Sequence, residues 1–406
     1  MVASSYPRFP GDSVGTFMEP IATGVAALGH EVHVVAPWHP LVARAHTEQG
    51  VSFHFYKYAP LRSMNVFGYA ASLRADVSLR PAAIAVTPLA LAQGWRTARK
   101  IARRHRATIM HGHWVVPGGI TAALAAPALP LVVSVHGSDM YLAETLMPAR
   151  MAARTAFRRA GATTACSDDL ARRAVALGAD AARVDVVPYG VDVDRFRPDP
   201  AARASCRREL GLAADVPLLF AAGRLVRKKG FEYLIDSLGR LEHEGPLLLA
   251  IGGEGTLDGE LRAVASRSSR AESVRFLGRL DQDDVARCLA AADVVLVPSV
   301  RDDAGNVDGL PNVVLEALAS GTPLVATAAG GIGAVAHHER TALLVPERDP
   351  QALAGAIDRL LRDPALGAAL GAAGRLLVSE RFGWNRAATA FEAAYGRAVA
   401  LKSPGR

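Results

Sequence analysis

The chain has 406 residues, half of them apolar and 6% aromatic, and a net charge of +7. At about 150 residues per domain, that is material for two or three domains, each with its own core. Three widely spaced cysteines, Cys166, Cys206 and Cys288, form no Cys-x-x-Cys pair, which argues against a zinc site or a disulfide framework and suits a reducing cytoplasm.

Met1 leads at once into Ser4-Ser5-Tyr6-Pro7, without the basic start and long apolar core of a secretory signal. The longest apolar stretch, Ile120 to Val135, is broken by Pro127 and Pro130 and falls short of the roughly 20 residues of a membrane helix. A cytoplasmic protein is expected, not an integral membrane one. The charge is uneven: residues 1–190 carry 19 Lys and Arg against 11 Asp and Glu, and residues 191–406 carry 27 against 28. The basic runs, Arg99 to Arg106 and Arg150 to Arg159, suit a peripheral contact with anionic membrane or an acidic acceptor, although a solvated helix face explains them as simply. No nucleic-acid motif accompanies them, so no nucleic-acid partner is expected.

In chain order, Met1 to Ser5 leaves room only for a shortened first strand. An opening loop, Tyr6 to Thr16, precedes a helix over Phe17 to Leu28 and a strand over Glu31 to Ala36. A helix over Trp95 to Arg104 follows, then strands over Ala107 to His111, Leu131 to His136 and Val184 to Pro188. Val187 to Pro200, VPYGVDVDRFRPDP, is rich in proline and alternating charge and reads as a linker; Asp192 and Asp194 mimic an Asp-x-Asp metal site but belong to that linker. Beyond it, strands are expected over Leu218 to Ala222, Leu247 to Gly252, Val274 to Leu277, Val294 to Pro298, Leu324 to Thr327 and Ala342 to Val345. Helices over Phe231 to Leu241, Asp283 to Ala291 and Gln351 to Arg362 alternate with them, and an amphipathic helix over Trp384 to Leu401 closes the chain. Short apolar, β-branched runs alternating with helical patterns argue for parallel strands buried on both faces, in doubly wound α/β domains.

Several motifs sit at strand ends. The opening loop carries Gly11 and Gly15, and glycine lets backbone approach a phosphate closely. His111-Gly112-His113-Trp114 reads as another loop, and Leu131 to Asp139 delivers His136 into a glycine turn. Gly223-Arg224-Leu225 to Lys229-Gly230 puts cations at the carboxyl end of a strand, where open α/β sheets bind ligands. It is no Walker loop, since Phe231 follows Gly230. Finally Asp308-Gly309-Leu310-Pro311-Asn312 enters a helical run in which Glu316 is expected two turns along. Backbone N–H groups at that helix start favour a phosphate, and the flanking carboxylates can accept hydrogen bonds from sugar hydroxyls.

The cationic loop and the Asp-x7-Glu spacing resemble the G-R-L-x-x-x-K-G and E-x7-E segments of retaining glycosyltransferases of family 4, with Asp308 standing where that family most often has the first Glu. The resemblance spans nearly the whole chain and is weakest over residues 38–100. It implies a GT-B fold, two doubly wound Rossmann-like domains facing a central cleft. Residues 1–188 would bind acceptor and residues 189–382 the nucleotide sugar, with 383–406 a helix crossing back to the N-terminal domain. It implies that Arg224 and Lys229 clamp the donor diphosphate, that Glu316 accepts from the ribose hydroxyls, and that Asp308 holds sugar hydroxyls. His136 would lie beside the transferred sugar, and His111 to Trp114 would be another loop, lining the acceptor cleft. Gly15, Leu280 in Phe276 to Leu280, and Gly309 to Asn312 would border the donor. The family's usual Glu after Gly330-Gly331 is replaced by Ala334 or Val335.

The expected reaction moves a hexose from a UDP- or GDP-sugar to a hydroxyl of a glycan, lipid or small molecule, with retention. No cofactor or metal is needed where cations and a helix dipole already face the diphosphate. A nucleotide-sugar epimerase or a non-catalytic sugar-nucleotide-binding protein is the alternative. A nicotinamide oxidoreductase would need G-x-G-x-x-G after strand one, which GDSVGTF lacks.

Overall fold

The structure, a computed structural model, describes residues 1–12, 14–65, 67–69, 73–74, 78–79 and 81–402. Ser13 of the opening loop lies outside them. The chain divides into two compact units, Gly190–Gly383 and the remainder, so the closing helix Trp384–Lys402 belongs with the N-terminal segment Met1–Tyr189.

In the first unit a mostly parallel sheet runs Thr47–Glu48, Val51–Tyr56, Val32–Pro37, then Met110–His113, Leu131–Val135, Ala162–Ala165 and Val184–Val186. Its two halves meet through one residue: Val2 bridges Val35 on one side and Gly112 on the other. The expected short first strand is thus reduced to a single bridging residue. The helix Trp384–Lys402 buries Phe391, Tyr395 and Ala398 in a core shared with Met18, Ile21 and Val25 of the helix Met18–Ala27. Burying rings of this size stabilises by roughly 1.5–3 kcal/mol each. Close approach is possible because Gly24 faces Ala388; a Cβ on Gly24 would come within 2.9 Å of the alanine's.

Strands Thr47–Glu48, Val51–Tyr56, Leu73–Arg74, Ser78–Leu79 and Ala162–Ala165 of this unit were not expected, and the helix expected from Trp95 begins at Pro81. The remaining predicted elements of both units occur within a few residues of their expected ends.

The second unit holds a six-stranded parallel sheet in the order Val274–Gly278, Leu248–Gly252, Leu218–Ala222, Val294–Val297, Leu324–Thr327, Leu343–Val345. Numbered from its own first strand, that order is 3-2-1-4-5-6, the doubly wound arrangement. The four strands from Leu218, Leu248, Val294 and Leu324 are buried almost throughout, as their uninterrupted apolar runs demand. The order reverses between Leu218–Ala222 and Val294–Val297. A ligand of an open α/β sheet binds outside the carboxyl ends of the strands at such a reversal. The cationic loop leaves the first of these strands and the Asp308 segment follows the second. Cys206 and Cys288, remote in sequence, bring their Sγ atoms to 3.8 Å and remain thiols.

Candidate active site

In the second unit, Gly223 to Gly230 descends from Leu218–Ala222 into a single tight turn, Arg227–Lys229. Gly230 has φ +64°, and a Cβ there would lie 2.0 Å from the carbonyl oxygen of Pro298, so only glycine lets the loop press against the end of the neighbouring strand. The four cations of the loop then diverge. Arg224 is exposed. Arg227 turns away to Glu260, 2.7 Å distant. Lys228 and Lys229 both point to Asp308: Lys228 Nζ lies 3.1 Å from Oδ1 and Lys229 Nζ 2.5 Å from Oδ2.

This cluster is nearly dry, with side-chain exposures of 4% for Lys228, 14% for Lys229 and 13% for Asp308. Burial by itself would raise the Asp308 carboxyl; Lys229, Lys228 and Arg224 outweigh it and hold the group far below the usual carboxylate range. Asp308 is therefore a fixed anion, with an ammonium on each oxygen. The sequence suggested Lys229; it did not suggest Lys228, because a charge in a basic loop cannot be ranked for burial before the loop's turn is known.

Asp308 is set by the turn Gly309-Leu310-Pro311, which enters the helix Asn312–Ala319. The N-cap residue is Pro311, and no side chain caps this helix. Leu310 is buried, so it offers the site its backbone. The helix begins at Asn312, which places Glu316 little more than one turn along, not two. Burial pushes the Glu316 carboxyl up to about 7, against the pull of Lys229 and Arg195. Two carboxylates eight positions apart thus differ sharply: Asp308 is permanently charged and Glu316 titrates near neutrality.

Gly330 backs this arrangement. Its φ is +59°, and a Cβ would lie 2.0 Å from the Asp308 carbonyl oxygen. Gly330→Ala is expected to push the Asp308 segment outward and to cost roughly 2 kcal/mol of stability from strain and displacement. Thermal unfolding together with nucleotide binding checks this; an alanine variant with unaltered melting and binding would show the contact to be slack. Leu280, half-buried beyond the strand Val274–Gly278, packs against Gly252, where a Cβ would come within 2.4 Å of Leu280 Cδ1. Asp192 accepts from the backbone N–H groups of Asp194 and Arg195 at 3.1 and 3.0 Å, a turn cap in the linker.

In the first unit, Gly15 turns the chain at φ +66° just before the helix Met18–Ala27. Arg8 and Asp12 staple this opening loop through a buried two-point pair, 2.6 and 2.8 Å. His136 follows the strand Leu131–Val135 and is half-buried among rings. Phe17 lies 4.7 Å away and Trp114 4.9 Å, centroid to centroid. His136 Nδ1 meets the Tyr189 hydroxyl at 2.8 Å and Nε2 meets His113 Nδ1 at 3.2 Å. Asp139 accepts from the backbone N–H groups of Val115, His136 and Gly137, fixing the turn. Burial drops the His136 imidazole to about 3, so it is neutral and serves as a hydrogen-bonding ring.

His111 and His113 correct the expectation of a loop facing an acceptor. Both lie on the strand Met110–His113 and are buried at 2% and 0% exposure; His111 bonds Tyr395 and Ser134, and His113 stands behind His136. Tyr189, missed from sequence, sits in the Pro188-Tyr189-Gly190 run of the linker and stacks on Phe17 at 4.6 Å. Tyr189→Phe keeps the stack and removes the bond to His136. It is expected to cost about 1 kcal/mol of stability and to lower turnover severalfold. Equal turnover would make the tyrosine a packing residue only.

Residues 14–195 match the family described as Glycosyltransferase Family 4, and residues 216–363 match Glycosyl transferases group 1. The chain is 35% identical over 300 residues, 71% of it and 76% of the relative, to the GDP-mannose-dependent alpha-(1-6)-phosphatidylinositol monomannoside mannosyltransferase of Mycobacterium tuberculosis. It is 39% identical over 228 residues to the D-inositol 3-phosphate glycosyltransferase of Xylanimonas cellulosilytica, covering 55% of this chain and 53% of that one. Among solved structures, sucrose-phosphate synthase from Thermosynechococcus elongatus shares the fold at TM-score 0.79 and 21% identity over 98% of this chain and 99% of its own. HepE from Anabaena in complex with UDP does so at 0.76 and 19%, over 97% and 98%. Two parallel-sheet units, the matched families and a relative aligned over most of its length lead to one assignment: the chain belongs to the family 4, group 1 glycosyltransferases, with the GT-B fold.

Proposed function

We propose that this glycosyltransferase moves a hexose from a UDP- or GDP-sugar to an acceptor hydroxyl with retention of configuration and without a metal ion. The observation that carries the reading is the Lys228–Asp308–Lys229 cluster beside the uncapped helix start and Glu316, at the reversal of the second unit's sheet. A donor diphosphate is held there by Lys229, Arg224 and the N–H groups near Asn312, and its ribose by Glu316. Those groups are already in place and cost little reorganisation as charge develops on the leaving diphosphate. Asp308, with an ammonium on each oxygen, orients sugar hydroxyls. It is a poor nucleophile in that state, which favours a front-face route in which the departing phosphate oxygen takes the acceptor's proton. His136, neutral, contacts the sugar as donor or acceptor.

The named mannosyltransferase and inositol-phosphate relatives make GDP-mannose and an inositol-bearing phospholipid the first pair to test. A lipid acceptor fits the helix Met147–Arg159, which exposes Met147 and Met151 at 62% and 65% beside Arg150, Arg154 and Arg158. Among the described residues no helix is long and apolar enough to cross a membrane.

The deciding experiment measures thermal stabilisation by UDP, GDP, ADP, UDP-sugars, GDP-mannose and NAD, with and without EDTA. NMR of the anomeric proton of any product follows. A shift with one nucleotide class, unchanged by EDTA, and an α-linked product from an α-linked donor are expected. Response to NAD alone, or an inverted product, overturns the reading.

A further inference from the structure

Away from these groups, the first unit carries a histidine cluster that no step of sugar transfer uses. His33 is the second residue of the strand Val32–Pro37. His54 lies on the strand Val51–Tyr56, in register with Val35. His105 directly follows the helix Pro81–Arg104. Val32, Val34 and Ala36 point into the core, so alternation along the strand turns His33 to the other face of the sheet, with Val35 and its register partner His54. His33 Nδ1 and His54 Nε2 stand 3.0 Å apart, and the His33 and His105 rings 4.0 Å apart. One ring nitrogen from each of the three lies within 4.8 Å of the others.

We propose that His33, His54 and His105 form a binding site for one zinc-class divalent cation, with Glu31 orienting His33 from outside. Two imidazole nitrogens on a tetrahedral zinc are about 3.3 Å apart, from Zn–N bonds of about 2.0–2.1 Å. The His33–His54 pair is already near that spacing, and His105, half-buried at a helix end, closes the remaining distance by side-chain rotation. Glu31 Oε1 lies 2.8 Å from His33 Nε2. That carboxylate–histidine pairing fixes the proton on Nε2 and aims the Nδ1 lone pair into the cluster, as the outer partners of metal-bound histidines do. The same carboxylate oxygen is 3.5 Å from His105 Nδ1. All three rings are half-buried, and imidazole binds metal in its neutral form.

An all-imidazole set selects zinc, nickel, cobalt or copper over magnesium or calcium, which take oxygen. The next nearest imidazole, His46, has its ring 5.4 Å from that of His54 and is exposed; water or His46 completes the fourth position. A bound cation would tie the carboxyl end of the helix Pro81–Arg104 to two strands, where the helix dipole also favours positive charge. The site is structural, not catalytic.

The test uses the full chain without an affinity tag, freed of metal with EDTA and desalted. It is titrated with cobalt(II) followed by its visible absorption, and with zinc(II) by calorimetry and thermal unfolding. One equivalent with tetrahedral cobalt bands, displaced by zinc and indifferent to magnesium, is expected, with a rise in melting temperature. His54→Ala is expected to abolish this binding, and Glu31→Gln to weaken it about 10-fold. Should His54→Ala fail to fold, His105→Gln at the helix end serves instead, with nucleotide binding as its control. Absence of saturable binding, or binding of equal strength in His105→Gln, overturns the site and leaves three packed imidazoles.

Discussion

Asp308→Asn is expected to fold less stably and to turn over about 100-fold more slowly, without losing activity altogether. The stability effect follows from the lysines. Lys228 is 4% exposed, and its ammonium is compensated by Asp308. Asn offers an acceptor but no charge. Removing one partner of a buried pair costs about 3–5 kcal/mol, because the other charge stays in the interior. For a domain of this size that is a fall of roughly 10 °C in melting temperature. A diphosphate ligand supplies the missing anion, so UDP or GDP should stabilise the variant by a larger increment than it stabilises the parent protein.

The kinetic effect separates two mechanisms. If Asp308 orients sugar hydroxyls and sets the lysines, its loss costs what removing a preorganised polar group costs, about 10²–10³ in kcat. If it were an obligatory nucleophile, loss would approach the roughly 10⁶-fold fall seen when a catalytic nucleophile is deleted. Asp is one methylene shorter than Glu, which further limits covalent reach. The depressed Asp308 carboxyl also predicts how stability responds to acid. The pair's contribution is fully present above the ordinary carboxylate range and is lost only as pH falls below it toward the native value. Asn removes that acid dependence.

The parts of this site that were legible in the sequence share a physical cause. Parallel strands buried on both faces must be apolar throughout, so Leu218–Ala222, Leu248–Gly252, Val294–Val297 and Leu324–Thr327 announced themselves, and with them the loops at their carboxyl ends. Val51–Tyr56 did not, because its polar positions Ser52 and His54 lie toward a half-covered face, and its burial alternates. Ala162–Ala165 has two threonines in a four-residue strand. The helix Pro81–Arg104 was read only from Trp95, since Pro88 interrupts the pattern; Thr87 takes the Ala83 carbonyl within that helix at 2.7 Å.

Side-chain partners were the illegible part. Lys228, Tyr189 and the His33, His54 and His105 cluster acquire meaning only when residues tens to more than a hundred positions apart are brought together. No local period encodes that. Gly330 illustrates the same limit: the sequence shows a Gly-Gly pair, and only the fold shows that the first of them leaves room for the Asp308 carbonyl.

Glu316→Gln is the second large effect, and its two readouts should move in opposite directions. Burial raises the native carboxyl from 4.5 to about 7. Between those values the unfolded chain carries Glu316 charged, while the folded protein keeps it protonated. The native state thus binds more protons, and stability falls as pH rises from about 4.5 to about 7, then levels off. At about 1.4 kcal/mol per unit the full penalty is about 3 kcal/mol, of which relaxation and water will leave a part. Gln resembles the protonated acid at every pH. At pH 8 the variant is therefore expected to melt higher than the parent protein, and the gap should close as pH falls toward about 4.5.

Nucleotide binding runs the other way. The ionised carboxylate is the better acceptor for two ribose hydroxyls, and loss of a charged hydrogen bond costs about 1.5–3 kcal/mol, or roughly 10–100-fold in affinity. The parent protein should itself lose affinity as pH falls through about 7, approaching the level of the variant. Melting curves and nucleotide titrations at pH 5, 7 and 8 on both proteins give the answer. A variant that is no more stable at pH 8 would show that Glu316 carries no burial penalty. One that binds nucleotide as tightly as the parent at pH 8 would remove the ribose from its reach. If both shifts appear, the protein keeps a carboxylate that its fold disfavours because the donor requires it.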